Sequence, residues 1–212
     1  RQAFQPAELN DLYLFALNHI IRRVNNGEQH LWREAFDIYR AGLEEGVLLD
    51  NGEIPPRTYS NIVISGLKMK EFDWVERFIH EHKNYLPEKL REGYFNYNLA
   101  RLHYENKNYR QAMPLLLQMD YSDEQHACLS KILLAKMYFE QQEFESLSSL
   151  LQSFKAFIHR KKVLGYQREL YLQFIHFLGK LLQYSPKGNL REEIQNATVV
   201  AEKDWLLEQA SK

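Results

Sequence analysis

Glycine (9) and proline (6) are scarce in this chain of 212 residues. With so few breakers among many Leu, Glu, Lys, Gln and Ala, a turn-dense β-sandwich is excluded and helix is expected nearly throughout. A single cysteine, Cys128, excludes an internal disulfide framework and a cysteine-based zinc site. It fits a reducing compartment, and a cytoplasmic location is expected. Positive charge is not in surplus: 27 Lys and Arg stand against 28 Asp and Glu, for a net charge of −1. Phosphate-binding domains usually carry a basic excess, so no nucleic-acid partner is expected. No apolar run approaches the ~18 residues of a membrane span, and no membrane association is expected. The sequence also lacks a Gly-rich phosphate loop, a G-x-S-x-G elbow and a carboxylate ladder. No catalytic, cofactor-binding or metal-binding residue is therefore assigned, and the chain is expected not to be an enzyme. It begins at Arg1 rather than Met, which suggests a segment excised from a longer protein.

What is present is a repeated sentence. "NLARLHYENKNYRQA" at 98–112 returns as "LLAKMYFEQQEFESL" at 133–147, thirty-five residues on. Leu99 aligns with Leu134, Ala100 with Ala135, Arg101 with Lys136, Tyr104 with Phe139 and Tyr109 with Phe144. A fixed period in this range is the signature of stacked repeats. Each copy reads as two helices around a polar turn, "ENKN" or "EQQE". The second helix opens on an aromatic, with an apolar stripe at Tyr109, Ala112, Leu116 and Met119, then at Phe144, Leu147, Leu151 and Phe154. Steps of three and four put each stripe on one face, and so short a turn predicts an antiparallel hairpin.

A third copy precedes these, with "RTYSNIVISGLK" after Pro55–Pro56 and then Phe72, Val75 and Ile79. Weaker pairs flank the three. One covers 6–25 and 29–47, with Pro6 at a helix start and Ala35, Tyr39 and Leu43 on one face. The other covers 163–184 and 190–210, separated by "SPKGN". There Asn189 and Glu192 form a candidate capping box, and Leu190, Ile194, Ala197, Ala201 and Trp205 form a stripe. The loop "LLDNGEIPPR" (48–57) is the longest irregular stretch and is expected to bulge from an edge. Pro114, about six residues into a helix, should remove a hydrogen bond and bend the axis.

Ala100, Tyr104, Tyr109 and Ala112, with Ala135, Tyr138, Phe139 and Phe144 in the next copy, resemble the tetratricopeptide repeat (TPR). That family is built of helical hairpins of about 34 residues. The chain as a whole, including "WREAFDIYRAGLEEGVLLDNGEIPPRTYSNIV" and "AEKDWLLEQ", is also similar to the C-terminal part of larger helical-repeat proteins of bacteria. These resemblances imply an all-α fold: a right-handed α-α superhelix of about five antiparallel helix pairs, forming one TPR-like domain over 1–212.

Four short segments suggest chemistry. His80 and His82 in "HEHK" are two apart, and a metal needs ligands three or four apart on a helix, so a solvated helix end is the favoured reading. "HRKK" at 159–162, with Lys155 and Arg168 nearby, reads first as cations at a helix C-terminus and second as an anion or acidic-partner patch. "RTYSNIVISGLKMKEF" (57–72) resembles the first helix of pentatricopeptide repeats, with Ser60 at the base-reading position, which makes an RNA-binding helical repeat the alternative function. Cys128 has only His126 close by, and buried structural cysteine is the favoured reading.

The TPR resemblance implies a concave groove lined by the first helix of each pair. In the central copy the lining positions are Tyr94, Tyr97, Arg101, Tyr104 and Glu105. In the next they are Leu129, Ile132, Lys136, Phe139 and Glu140, and upstream Arg57, Ser60, Ile64, Leu67 and Lys68. Asn98 alone matches the family's carboxylate-clamp set. The expected function is a non-catalytic protein–protein interaction scaffold. Arg57, Tyr94, Tyr97, Asn98, Arg101, Tyr104 and Lys136 would hold a peptide or partner protein, because tyrosines supply contact area and the cations anchor carboxylates. Equally, the aromatics can pack against the next repeat. "LYLFALNHII" (12–21) is apolar around most of its circumference, so this end is expected to pack on something, with self-association through the N-terminal helix as one outcome.

Overall fold

The computed structural model describes residues 6–25, 27–117, 124–160, 165, 167–183 and 189–212. Among these the chain is all-helical, apart from a single bridge between Asp50 and Glu53. Eleven α-helices are described: α1 (Pro6–Asn25), α2 (Trp32–Glu44), α3 (Pro56–Lys68), α4 (Phe72–Glu81), α5 (Arg91–Glu105), α6 (Tyr109–Leu117), α7 (Glu124–Glu140), α8 (Phe144–Arg160), α9 (Gln167–Leu182), α10 (Leu190–Asn196) and α11 (Lys203–Gln209). Contacts group them into two compact units, Arg1–Met119 and Asp120–Lys212.

In the first unit each helix from α1 to α6 packs on its neighbours in sequence, and α3 also touches α5. The apolar stripes read from the sequence face inward. Tyr59, Ile62, Val63, Val75 and Ile79 are each at 0% exposure, and Phe78 is at 2%. Pro56 takes the first helical position of α3, where its missing N–H costs nothing. Tyr59 donates its hydroxyl proton to the Ile79 carbonyl at 2.8 Å, which ties α3 to α4 through the core. The same two helices meet closely at Gly66, where a Cβ would stand 2.4 Å from Val75 Cγ2.

The helix ends share one solution. After α1, α2, α3, α5 and α7 an amide bonds the carbonyl five residues back: Glu28 to Arg23, Val47 to Gly42, Glu71 to Gly66, Asn108 to His103 and Glu143 to Tyr138. The preceding residue is left-handed in every case, namely Gly27, Gly46, Lys70, Lys107 and Gln142. This is the Schellman closure, which satisfies otherwise orphaned carbonyls. After Lys70, Lys107 and Gln142 the next helix starts two residues on, each time with an aromatic: Phe72, Tyr109 and Phe144. Tyr109 stacks on Tyr104 at 5.8 Å, and Phe144 meets Phe139 at 6.2 Å.

Two expectations for the first unit change in detail. The 48–57 loop, expected to bulge from an edge, is pinned at both flanks: Leu48 and Ile54 are buried, and the Ile54 amide bonds the Tyr85 carbonyl. Its tip is exposed, where Asn51 and Gly52 both take positive φ between the paired Asp50 and Glu53, as a tight reverse turn requires. Pro114 lies on the solvent side of α6. The carbonyl it frees belongs to Arg110, which is also exposed, so water can replace the lost bond.

In the second unit α7, α8 and α9 pack in succession, and α10 and α11 both lie on α9. Its core includes Leu147, Phe154, Ile158, Phe174, Leu178, Ile194 and Leu206, all at 0% exposure. The single helix expected over 190–210 is instead two, α10 and α11. Ala197 turns extended, with ψ 129°, and Glu202 is left-handed. Lys203 caps the broken end by donating to the carbonyls of Gln195 and Ala197, both at 2.8 Å. Asn189 does precede α10, but its side chain makes no capping bond. Met119, Lys161, Lys162 and residues 185–188 lie outside the described residues.

Two outcomes follow for stability. Gly66→Ala should cost about 1–3 kcal/mol, the range for overpacking a filled core, read by chemical denaturation. Burial pushes the Tyr39 hydroxyl up to about 12 and raises that of Tyr59 as well. The folded state then holds protons that the unfolded chain releases near pH 10. Their contribution is complete below that pH and is lost as pH rises toward the folded values. Denaturation midpoints should fall between about pH 9 and about pH 11, with tyrosinate absorbance appearing as helicity is lost.

Candidate functional site

The implied groove residues fall in both units. In the first, Asn98 on α5 is the centre of a polar seam within an apolar interface. Its side chain is at 0% exposure. Its amide donates to the Tyr94 carbonyl at 2.7 Å and to Ser60 Oγ on α3 at 3.2 Å. Its Oδ1 is buried with no hydrogen-bond partner. The α3 helix adds a second polar group beside Ser60, because the Asn61 side chain opposes the burial that raises the Tyr39 hydroxyl.

Tyr94 and Arg101 are half-buried, one turn before and after Asn98 on α5, and Arg57 is exposed in the first turn of α3. Tyr97 and Tyr104 are at 5% and 4% exposure. Both therefore belong mainly to the packing, which was one of the two readings open to aromatics at these positions. Lys107 lies over both Tyr104 and Tyr109, at 5.2 and 5.8 Å from the ring centroids.

The second unit holds Lys136, and here the structure adds what residue type did not reveal. Lys136 is at 8% exposure. Its Nζ is 2.7 Å from Glu202 Oε2 and 5.6 Å from the Trp205 ring centroid. Trp205 Nε1 in turn donates to Glu140 Oε1 at 2.8 Å. Lys136 and Glu140, both implied groove residues, thus hold the bend before α11 against α7. Glu202 takes its left-handed conformation at the point where its carboxylate meets Lys136.

The remaining segments resolve as follows. His82 stacks on Phe78 at 4.6 Å, at the end of a ladder that includes Trp74, while His80 meets Phe95 edge-on at 5.4 Å. The two histidines face different neighbours. Burial lowers the pKa of His103, opposed by nearby Glu76 and reinforced by His80. No group of three His, Cys, Asp or Glu with metal-binding geometry occurs among the described residues. Cys128 is fully buried. His159 contacts Arg168 through Nδ1 at 3.0 Å and lines a cleft of about 390 Å³ with Lys155, His176 and Glu169. The carboxylate of Glu169 offsets the basic character of that cleft. A larger cleft of about 780 Å³ lies between α1 and α2, walled by Leu9, Leu12, Tyr13, Ala16, Ile38 and Ala41 and edged by Glu34 and Asp37. No described helix is long and apolar enough to cross a membrane.

The Lys136–Glu202 pair gives an asymmetric expectation. Glu202→Ala takes the carboxylate from a buried ammonium that keeps only weaker contacts such as the Trp205 ring and should destabilise by about 1–3 kcal/mol, whereas Lys136→Met leaves a half-exposed carboxylate and should cost less. Thermal denaturation of the two variants checks the order. Comparison with family models, with curated proteins and with solved structures returns no significant match.

Proposed function

We propose that the chain is a non-catalytic protein-interaction scaffold of TPR-like helical hairpins, arranged in the first unit as a right-handed superhelical stack. In this reading it binds an extended peptide along the face formed by α3 and α5. The observation that carries the reading is Asn98 Oδ1, a fully buried acceptor with no partner in the seam between those helices. Such an acceptor costs about 1–3 kcal/mol until a donor reaches it. A backbone N–H of a bound peptide is such a donor, admitted when the half-buried side chain of Tyr94 or Arg101 rotates aside.

Arg101 and Arg57 supply the charge. Neither makes an ion pair with a described residue, so both guanidinium groups are available to carboxylates on the peptide. Tyr94 offers a flat, half-exposed surface at low entropic cost. Tyr97 and Tyr104 hold the platform from beneath. Lys136, engaged by Glu202, contributes in this reading to the second unit's framework.

Selection of a displayed peptide library on the 212-residue chain tests this directly. The selected peptides should be rich in Asp and Glu. Arg57→Glu with Arg101→Glu, and separately Asn98→Leu, should each weaken their binding at least about tenfold, or about 1.4 kcal/mol, with helicity retained by circular dichroism. Peptides that bind all these variants equally, or a library that yields none, would defeat the proposal.

A further inference from the structure

The inner side of α1 is settled. Leu17, Ile20 and Val24 are at 3%, 5% and 2% exposure, Tyr13 lies against Gly42 of α2, and Asn10 donates to the Val47 carbonyl. The outer side is not covered in the same way. Phe15 is at 75% exposure, Leu12 at 47% and Leu14 at 37%. A phenylalanine so exposed, with leucines beside it, is the kind of patch that marks an interaction surface.

The charges on this outer stripe have a definite order. Glu8 and Asp11 precede Phe15 by seven and four residues, and His19 and Arg22 follow it by four and seven. All four are exposed. Steps of four and seven keep every one of them on the Phe15 side of the helix. The stripe is therefore acidic, then apolar, then basic, and the order inverts about Phe15.

A stripe of that form is complementary to itself when turned end for end. We infer that α1 pairs with the α1 of a second copy of this chain, antiparallel, with Phe15 at the two-fold axis. Glu8 then faces Arg22 of the other copy and Asp11 faces His19, on both sides of the axis. A two-fold contact requires one patch that fits its own image, and this palindrome provides it. A parallel arrangement would instead set acid against acid and base against base. Leu12 belongs both to the stripe and to the wall of the α1–α2 cleft, so the partner helix lies beside an apolar recess that it helps to close. The dimer leaves α3 and α5 free, and it stands or falls independently of peptide binding.

Sedimentation of the 212-residue chain over a concentration series up to about 1 mM should show a monomer–dimer equilibrium. Phe15→Asp should weaken it at least about tenfold with helicity unchanged. Orientation is read by oxidation of cysteine variants. The two copies of residue 11 stand about 12 Å apart in the antiparallel pair, from the helical rise, too far for a disulfide. Asp11→Cys alone should therefore stay uncrosslinked, and a mixture of Asp11→Cys and His19→Cys chains should crosslink. Cys128, fully buried, does not compete. A monomer at every concentration, a dimer indifferent to Phe15→Asp, or Asp11→Cys crosslinking to itself would overturn the inference.

Discussion

A helix can be followed at once by an antiparallel neighbour only if its last carbonyls find donors within the turn, and in this chain that constraint governs the rest. The amide-to-carbonyl bond spanning five residues closes α1, α2, α3, α5 and α7. It needs one left-handed residue each time. Glycine supplies it twice, while Lys70, Lys107 and Gln142 supply it at a strain of order 1 kcal/mol each. After α3, α5 and α7 the return is a reversal so tight that the following helix starts two residues past the left-handed one and its apolar stripe meets the helix just left.

Within that framework the first unit is locked by contacts that fix distance rather than merely exclude water. Gly66 lets α4 reach the α3 backbone, and Tyr59 then bridges the pair with a buried hydrogen bond. The rings of Trp74, Phe78 and His82 stack along α4. The second unit has a different closing problem. Its last segment breaks at 197–202, and the chain is held there by charge: Lys136 with Glu202, and Trp205 with Glu140. One unit is tied by shape, the other at its end by a half-buried polar cluster.

The sequence was informative where periodicity and local chemistry agree. The stripes at Phe72, Val75 and Ile79, and at Phe144, Leu147, Leu151 and Phe154, predicted α4 and α8 because steps of three and four have no other use, although Phe144, in the first turn of α8, stays 49% exposed. It misled where periodicity runs on without the backbone. Leu190 to Trp205 keeps helical spacing across a break, since counting residues says nothing about dihedral angles. The Thr198–Val199–Val200 run, stiff at χ1, was the available warning. The Asn51–Gly52 pair likewise signalled a reverse turn inside what read only as a long loop. For the candidate site, residue type named Lys136 and Arg101 alike. Only a contact 66 residues away, at Glu202, distinguishes a cation already engaged from one that is not. The orphaned oxygen of Asn98 is legible in no pattern, because it depends on where Ser60 and the Tyr94 carbonyl come to lie.

The fixed length of the closures divides the chain into places that tolerate a change of length and places that do not. One extra residue between Glu105 and Tyr109 would rotate the following helix by about 100°, turning Ala112 and Leu116 out of the core they fill. The exposed tip at 50–53 carries no such burden, since its two flanks are anchored separately by Leu48 and Ile54. Insertions and grafted loops therefore have a natural port of entry at this tip, and the tight reversals are where the chain's numbering is written into its packing.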